Sequence, residues 1–239
     1  MARKPKAPAP PPSRPLWRRL VAWLLRGMVG LAAFYLALIV VFSFLPPPGN
    51  LYQWSESWRL GGIKRDWVDW DEIAPVMPRS AVAGEDANFC LQWGFDMAAI
   101  RDAIANGSNR GASTLSQQVV KNVFLWQGRS WLRKAMEAAL TPVVELLWSK
   151  QRILEMYLNQ AEFAEGVFGV QAAAQHYWNK TAADLTATEA ARLAAVLPNP
   201  KDYNAGEPGP YVRGRARQII AGADTIDADG RAACFQGTE

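Results

Sequence analysis

The chain has 239 residues, a net charge of +4 and a sequence pI near 9.2. Residues 1–26 hold seven basic residues and no acidic one, and the other 213 hold 19 basic and 22 acidic, so no general nucleic-acid-binding surface is implied. Hydrophobic content of 50% excludes a wholly disordered chain, two cysteines exclude a disulfide scaffold or a four-Cys zinc site, and a single histidine, His176, excludes chemistry that needs two.

Residues 1–15 are rich in Pro, Ala, Lys and Arg, a composition that cannot bury a core. Gly27 to Leu45 then runs without a charge, long enough to span a bilayer as a helix. The run is too long for the apolar region of a signal peptide, and no small-x-small cleavage site precedes Pro46-Pro47-Pro48. The predicted domains are therefore a basic tail over 1–26, an anchor over 27–45 and an exported domain over 46–239. The positive-inside rule puts the tail in the cytoplasm. Trp17 and Trp23 suit the inner interface, and Trp54 and Trp58 the outer one. Cys90 and Cys234 would then face an oxidising compartment. Cys90 sits inside a motif and Cys234 near the terminus, which favours two unpaired thiols.

The exported part reads as mostly helical, with no run of alternating strands. Asp96 caps a helix over 97–105 with Met97, Ile100 and Ile104 on one face and Gly107 at its stop. Ser113 caps the next helix, to about Asn122. Ser130 caps another, in which Thr141-Pro142 marks an end or a kink before a further helix over 143–159. Gly166 and Gly169 precede a helix through Ala172 and Tyr177. Thr186 and Glu189 form a capping box for a helix stopped by Pro198-Asn199-Pro200.

Three clusters can carry chemistry. Glu85-Asp86-Ala87-Asn88-Phe89, continuing through Gln92 and Asp96, follows an apolar stretch, and a carboxylate held against apolar surface is pushed toward the general-base range. A solvated acidic helix end is the alternative. Ser113, Gln117 and Lys121 are spaced four apart on one helical stripe beside Gln118 and Asn122. Such donors suit an anionic or sugar ligand, or simply an exposed face. Arg129, Arg133, Lys134 and Glu137 form a phosphate-binding pocket around a carboxylate, or surface ion pairs worth a few tenths of a kcal/mol. Lys150, Arg152 and Glu155 repeat that ambiguity. His176, in an Ala-rich helix, reads as structural. The apolar patch Val119-Val120 and Val123 to Trp126, with Trp131 beyond it, is either core or a surface that dips into the bilayer interface.

Five motifs then occur in order: Glu85-Asp-x-x-Phe89, Gly111-x-Ser-Thr-Leu-Ser-Gln-Gln118, Arg133-Lys-x-x-Glu137, Lys150-x-x-Ile-Leu-Glu-x-Tyr-Leu-Asn159, and Gly166-x-x-Gly169 with Ala172-Ala173-x-x-x-Tyr177. Over residues 46–205 the chain resembles the peptidoglycan glycosyltransferase family, in particular its monofunctional biosynthetic transglycosylases. The resemblance implies a mainly α, lysozyme-like fold with a head and a membrane-dipping jaw. It implies polymerisation of lipid II into β-1,4 glycan strands with undecaprenyl pyrophosphate as leaving group. By the same resemblance Glu85 matches the catalytic base and Glu137 the second catalytic carboxylate, on the donor side. Asp86, Ser113, Gln117 and Gln118 match substrate-positioning residues, and Lys121, Arg129, Arg133 and Lys134 the cations near the pyrophosphate. Gln92 stands where the family commonly has His, so a hydrogen bond is retained there but a charge is not.

The implied partners are lipid II, the growing glycan, the membrane and cell-wall synthesis or division proteins, with no nucleic acid. No cofactor is required; a divalent cation (Mg or Mn) can assist at the pyrophosphate, with no acidic cluster to bind it. The implied location is a bacterial inner membrane, crossed once, with the catalytic domain periplasmic. The rivals are a lytic enzyme on the same fold and a non-catalytic cell-wall scaffold. A bifunctional synthase is excluded, since the chain lacks Ser-x-x-Lys and Lys-Thr-Gly. Residues 110–152 carry seven basic against two acidic residues, so the net charge separates into an orientation signal and a pyrophosphate-binding region in an otherwise acidic chain.

Overall fold

A computed structural model describes residues 16–106 and 113–236. The basic tail to Pro15, Gly107, Gly111, Ala112 and the side chain of Ile104 lie outside the described residues. The first helix, α1 (Leu16–Phe42), has an apolar window of mean hydropathy 2.2, of which 6% is buried. By length and composition it is a candidate membrane span. It starts ahead of Gly27 because Leu16 to Arg26 contains no Pro or Gly to stop it. The chain divides into two compact units between Leu38 and Ile39.

In the second unit, the end of α1 is capped from the side. The Trp148 indole donates to Ile39 O at 2.8 Å, and the Arg152 guanidinium donates to Phe42 O and to Leu45 O, each at 2.9 Å. Phe42 closes the helix, where a carbonyl has no intrahelical donor, whereas Ile39 O also accepts Ser43 N–H at 3.0 Å. Phe42 stacks on Phe124 with ring centroids 6.0 Å apart. Helix α2 (Leu51–Leu60) follows, capped by Asn50, which accepts from Gln53 N, and stopped at Gly61 with φ 73°.

The half of the fold that carries the first four motifs is built from α3 (Val76–Glu85), α4 (Met97–Asn106), α5 (Leu115–Phe124), α6 (Trp131–Leu147) and α7 (Lys150–Gln160). As the sequence predicts, Asp96 caps α4, its Oδ1 accepting Ala99 N–H at 2.9 Å. Thr114, and not Ser113, caps α5, in a capping box with Gln117. Ser130 caps α6 as expected. Pro142 does not end α6: proline costs the helix one N–H, and the Thr141 hydroxyl donates to Glu137 O beside it. The break falls at Trp148-Ser149, where Ser149 caps α7 by accepting from Arg152 N.

The fold is mainly helical as expected, and three short strands, β1 (Lys64–Arg65), β2 (Glu162–Ala164) and β3 (Val167–Phe168), are set among its helices. The order is β1-β3-β2, with Lys64 opposite Val167 in a parallel pair and Glu162 opposite Phe168 in an antiparallel one. Gly169, at φ 88°, lets the chain pass so close to Asn159 O and Asp66 O that a Cβ would sit 3.1 and 3.2 Å from them. It opens α8 (Val170–Trp178), ahead of α9 (Ala187–Val196), α10 (Pro210–Ala228) and α11 (Ala233–Gln236). The Thr186–Glu189 capping box is present on α9. Helices α3, α9 and α10 pack together, and α5 lies against α6 and α7.

Val119, Val120, Phe124 and Leu125 are buried, so that patch is core, and of the sequence-predicted apolar surface Trp131 stays exposed. The two cysteines are joined: Cys90 and Cys234 form a disulfide across 144 residues of sequence, which corrects the expectation of free thiols. The fold brings α11 against the loop after α3, where Phe235 meets Phe89 and Trp70. Spacing along the chain carries no sign of that approach.

Candidate active site

Glu85 is the last residue of α3, and its backbone leaves the helix there because Asp86 turns to φ −158°. Gln118, one turn into α5, donates Nε2 to Glu85 Oε2 at 3.0 Å. The Tyr157 hydroxyl lies 3.5 Å from the other end of the Gln118 amide. Tyr157 is buried on α7, and burial followed by the Glu85 charge pushes its hydroxyl well above the ordinary tyrosine range. It stays a neutral donor behind Gln118.

Asp86 points inward. Its Oδ2 accepts from Leu115 N at 3.0 Å and from Gln92 Nε2 at 2.6 Å, which ties the loop after α3 to the start of α5. Burial pushes its carboxyl up to about 6, against the lowering effect of the Leu115 N–H. The pKa-raising surroundings predicted for this motif thus fall on Asp86. Gln92 supplies a neutral donor to that carboxylate, and its Oε1 is buried without a partner. Gln117 is also buried, its Oε1 accepting Thr114 N–H in the cap. Both Asp86 and Gln117 shape the frame of the site.

Glu137 is buried at the centre of the cationic cluster. Arg133 Nη1 donates to its Oε2 at 2.6 Å, and Lys134 Nζ to its Oε1. Lys134 Nζ also reaches Ser113 Oγ at 3.3 Å, so the start of α5 and the first turns of α6 share one cation. Lys121 feels the charges of both carboxylates. Burial lowers its ammonium pKa, and the charges of Glu137 and then Glu85 partly restore it against Arg133 and Lys134. Arg129 is exposed and makes no ion pair among the described residues.

A polar cavity of about 180 Å³ opens beside this group, lined by Gln118, Lys121, Asn122, Tyr157 and Gln160 among others. The larger recess, about 530 Å³ between Trp70, Arg79 and Gln236, lies away from both carboxylates. Among the described residues no group of three His, Cys, Asp or Glu side chains could hold a metal.

Lys150, which opens the fourth motif, and Glu145, outside every motif, form a brace under the loop after α3. Lys150 Nζ donates to Gln92 O at 2.9 Å and to Glu145 at 2.8 Å, lies 4.4 Å from the Phe89 ring centre, and Ser116 Oγ donates to Glu145. Glu145 carries no motif; it becomes visible only once α5, α6 and α7 converge. Arg152 and Glu155 pair with each other, and Asn159 bridges Val68 N and O. His176 is exposed at 3.5 Å from Lys64 Nζ, and burial followed by that charge lowers its pKa.

With this geometry in place, comparison with known proteins is specific. The family described as Transglycosylase matches residues 55–223. The chain is 61% identical over 223 residues to the protein named biosynthetic peptidoglycan transglycosylase from Jannaschia sp. (strain CCS1), covering 93% of each. It is 47% identical over 210 residues to proteins of the same name from Yersinia pseudotuberculosis serotype O:3 (strain YPIII) and Yersinia pestis (strain Pestoides F), covering 83% of this chain and 87% of each relative.

Proposed function

The chain belongs to the transglycosylase family, and on that premise we propose that it is a peptidoglycan glycosyltransferase that polymerises lipid II into β-1,4 glycan strands. The observation that carries the assignment of roles is the contrast between Glu85, held at one oxygen by the neutral Gln118 amide, and Glu137, bound at both oxygens by Arg133 and Lys134. One carboxylate is left with an oxygen for a proton, and the other holds cations.

In this reading the 4-hydroxyl of the acceptor sugar attacks C1 of the donor sugar while its proton passes to Glu85. The C1–O bond to the pyrophosphate breaks with its electron pair on the leaving oxygen. An α-linked donor then gives a β-linked product in a single displacement, with no covalent glycosyl-enzyme. Pyrophosphate is a weak base, so the developing charge needs cations more than a strong acid. Lys121, Arg133 and Lys134 supply them, and Glu137 fixes the direction of the last two. A divalent cation (Mg or Mn), if bound, would supply further positive charge at the leaving group, and among the described residues no acidic cluster would hold it. The membrane candidate α1 keeps the enzyme beside its lipid substrate, with the basic tail cytoplasmic, the catalytic domain periplasmic and wall-synthesis proteins within reach.

Purified full-length protein with labelled lipid II, run on a glycan gel with and without a phosphoglycolipid inhibitor, tests the reading. Inhibitor-sensitive polymer is expected. Cleavage of preformed glycan would assign a lytic enzyme instead, and no turnover of either would assign a scaffold.

A further inference from the structure

Helix α2 is built inside out. Gln53 and Glu56 face the protein at 1% and 6% exposure, while Leu51, Trp54 and Trp58 face outward at 52%, 54% and 91%. Residues 51, 54 and 58 are spaced i, i+3, i+7 and so share one narrow stripe, roughly opposite positions 53 and 56. On the inward side Glu56 binds Arg59 and Lys201, and the cap residue Asn50 donates Nδ2 to Gln160 Oε1 at 2.8 Å, while the Gln53 amide is buried without a hydrogen-bond partner among the described residues. Pairing with Arg59, ahead of burial and Lys201, keeps the Glu56 carboxyl below its ordinary range. The helix cannot therefore roll its tryptophans inward without unmaking these contacts.

Two indoles on an outward stripe suit a medium that is apolar on one side and wet on the other. The end of α1 places that medium close by. Leu45 precedes Leu51 by six residues, at most about 20 Å of chain. Most of that path is tied down, with Arg152 on Phe42 O and Leu45 O, and Arg65 on Pro47 O and Pro48 O at 2.6 and 2.9 Å. Phe44 and Leu45 are themselves exposed, so the outward apolar surface continues from the end of α1 into α2.

We infer that α2 is an interfacial helix, lying in the headgroup region of the bilayer with Leu51, Trp54 and Trp58 inserted. The polymerising domain would then have a second membrane contact beside the end of the span, independent of the catalytic residues. The inference goes beyond the proposed reaction and rests only on α1 being in lipid.

The test uses the full-length chain in phosphatidylcholine–phosphatidylglycerol vesicles. The native cysteines are paired, so a single introduced thiol can carry an environment-sensitive fluorophore. Trp58→Cys reports α2, Phe34→Cys reports the span and Arg217→Cys reports the exposed face of α10. At position 58 we expect blue-shifted emission, and at least twofold stronger quenching by a lipid spin-labelled near the headgroup than by aqueous iodide. Position 217 should show the reverse. Iodide quenching at 58 with position 34 in lipid overturns the inference alone. Protection of 58 from both quenchers also overturns it, since a protein then covers the stripe. A wet position 34 overturns it together with the anchor reading.

Discussion

Gln118 holds Glu85 by one oxygen only: its amide donates to Oε2 at 3.0 Å, and among the described residues no donor meets Oε1. The free oxygen is where an incoming hydroxyl proton would go. Glu85→Gln should therefore lower lipid II polymerisation by about 10²–10⁴-fold, the usual loss for a general base. Its thermal unfolding should stay within a degree or two of the parent. Gln118→Ala should fall between, with the loss in kcat, because the base remains but is no longer aimed. Full activity of Glu85→Gln on the glycan gel would sink the assignment.

Asp86 should make stability depend on pH in an unusual direction. Its folded carboxyl is raised to about 6 from 3.8, mainly by burial. The folded state thus binds the proton more tightly than the unfolded chain. The associated stability is present in full below about pH 4 and is lost as pH rises through about 6, some 3 kcal/mol in all at about 1.4 kcal/mol per unit. Both donors, Leu115 N and Gln92 Nε2, bond the same oxygen, so Asp86→Asn can keep them with its amide oxygen. Denaturant unfolding at pH 4, 5, 6 and 7 should show this slope in the parent and a flattened one in the variant.

Glu137 should be easier to neutralise than to strand. Removing both Arg133 and Lys134 leaves a buried carboxylate without a partner, at a cost of about 3–5 kcal/mol. Lys134→Ala alone keeps Arg133 in place and should mainly lower kcat, since its side chain is 43% exposed while that of Arg133 is 13% exposed. Thermal melts of the double variant and of Lys134→Ala, compared with their turnover of lipid II, separate these effects.

The disulfide should support the loop that carries Gln92. Cys234→Ser, or reduction, should cost about 2–5 kcal/mol. At about 2–4 °C per kcal/mol for a domain of this size, the melting point should drop by roughly 4–20 °C. Mass spectrometry after alkylation establishes the redox state, and an unchanged melt on reduction would show that the bond is energetically idle.

Gly94 sits at φ 83°, and a Cβ there would lie 2.6 Å from Thr141 Cγ2. Gly94→Ala should destabilise by about 1–3 kcal/mol from backbone strain, with the contact adding to it. Thr141→Ser removes the clashing methyl and should recover part of that loss in the double variant.

Much of this architecture can be read from local chemistry. The caps at Asp96, Ser130 and Thr186 need only a short polar side chain ahead of an apolar-periodic run, and the structure has them there. Glu85 and Gln118 belong to motifs confined to short runs of sequence. What could not be read depends on distant approach. Strands of two or three residues are too short to show alternation, and β1 pairs with a segment a hundred positions away. Glu145 and Lys150 look like surface charges until α5 and the loop after α3 close over them. Ser113 and Thr114 are equally good caps on paper, and the Thr114 hydroxyl is selected because it can also donate to Gly94 O.

The capping of the α1 end by Trp148 and Arg152 has a practical consequence for anyone dividing this protein. The apolar run ends at Leu45, which is the obvious place to cut away the anchor. A cut there would delete the carbonyls of Ile39 and Phe42 and the ring that covers Phe124. The indole N–H of Trp148 would lose its acceptor, and the guanidinium of Arg152 would keep Glu155 but lose Phe42 O, at the junction of α6 and α7 next to the brace under the loop after α3. A soluble version should begin before Ile39 and carry its last anchor turn with it.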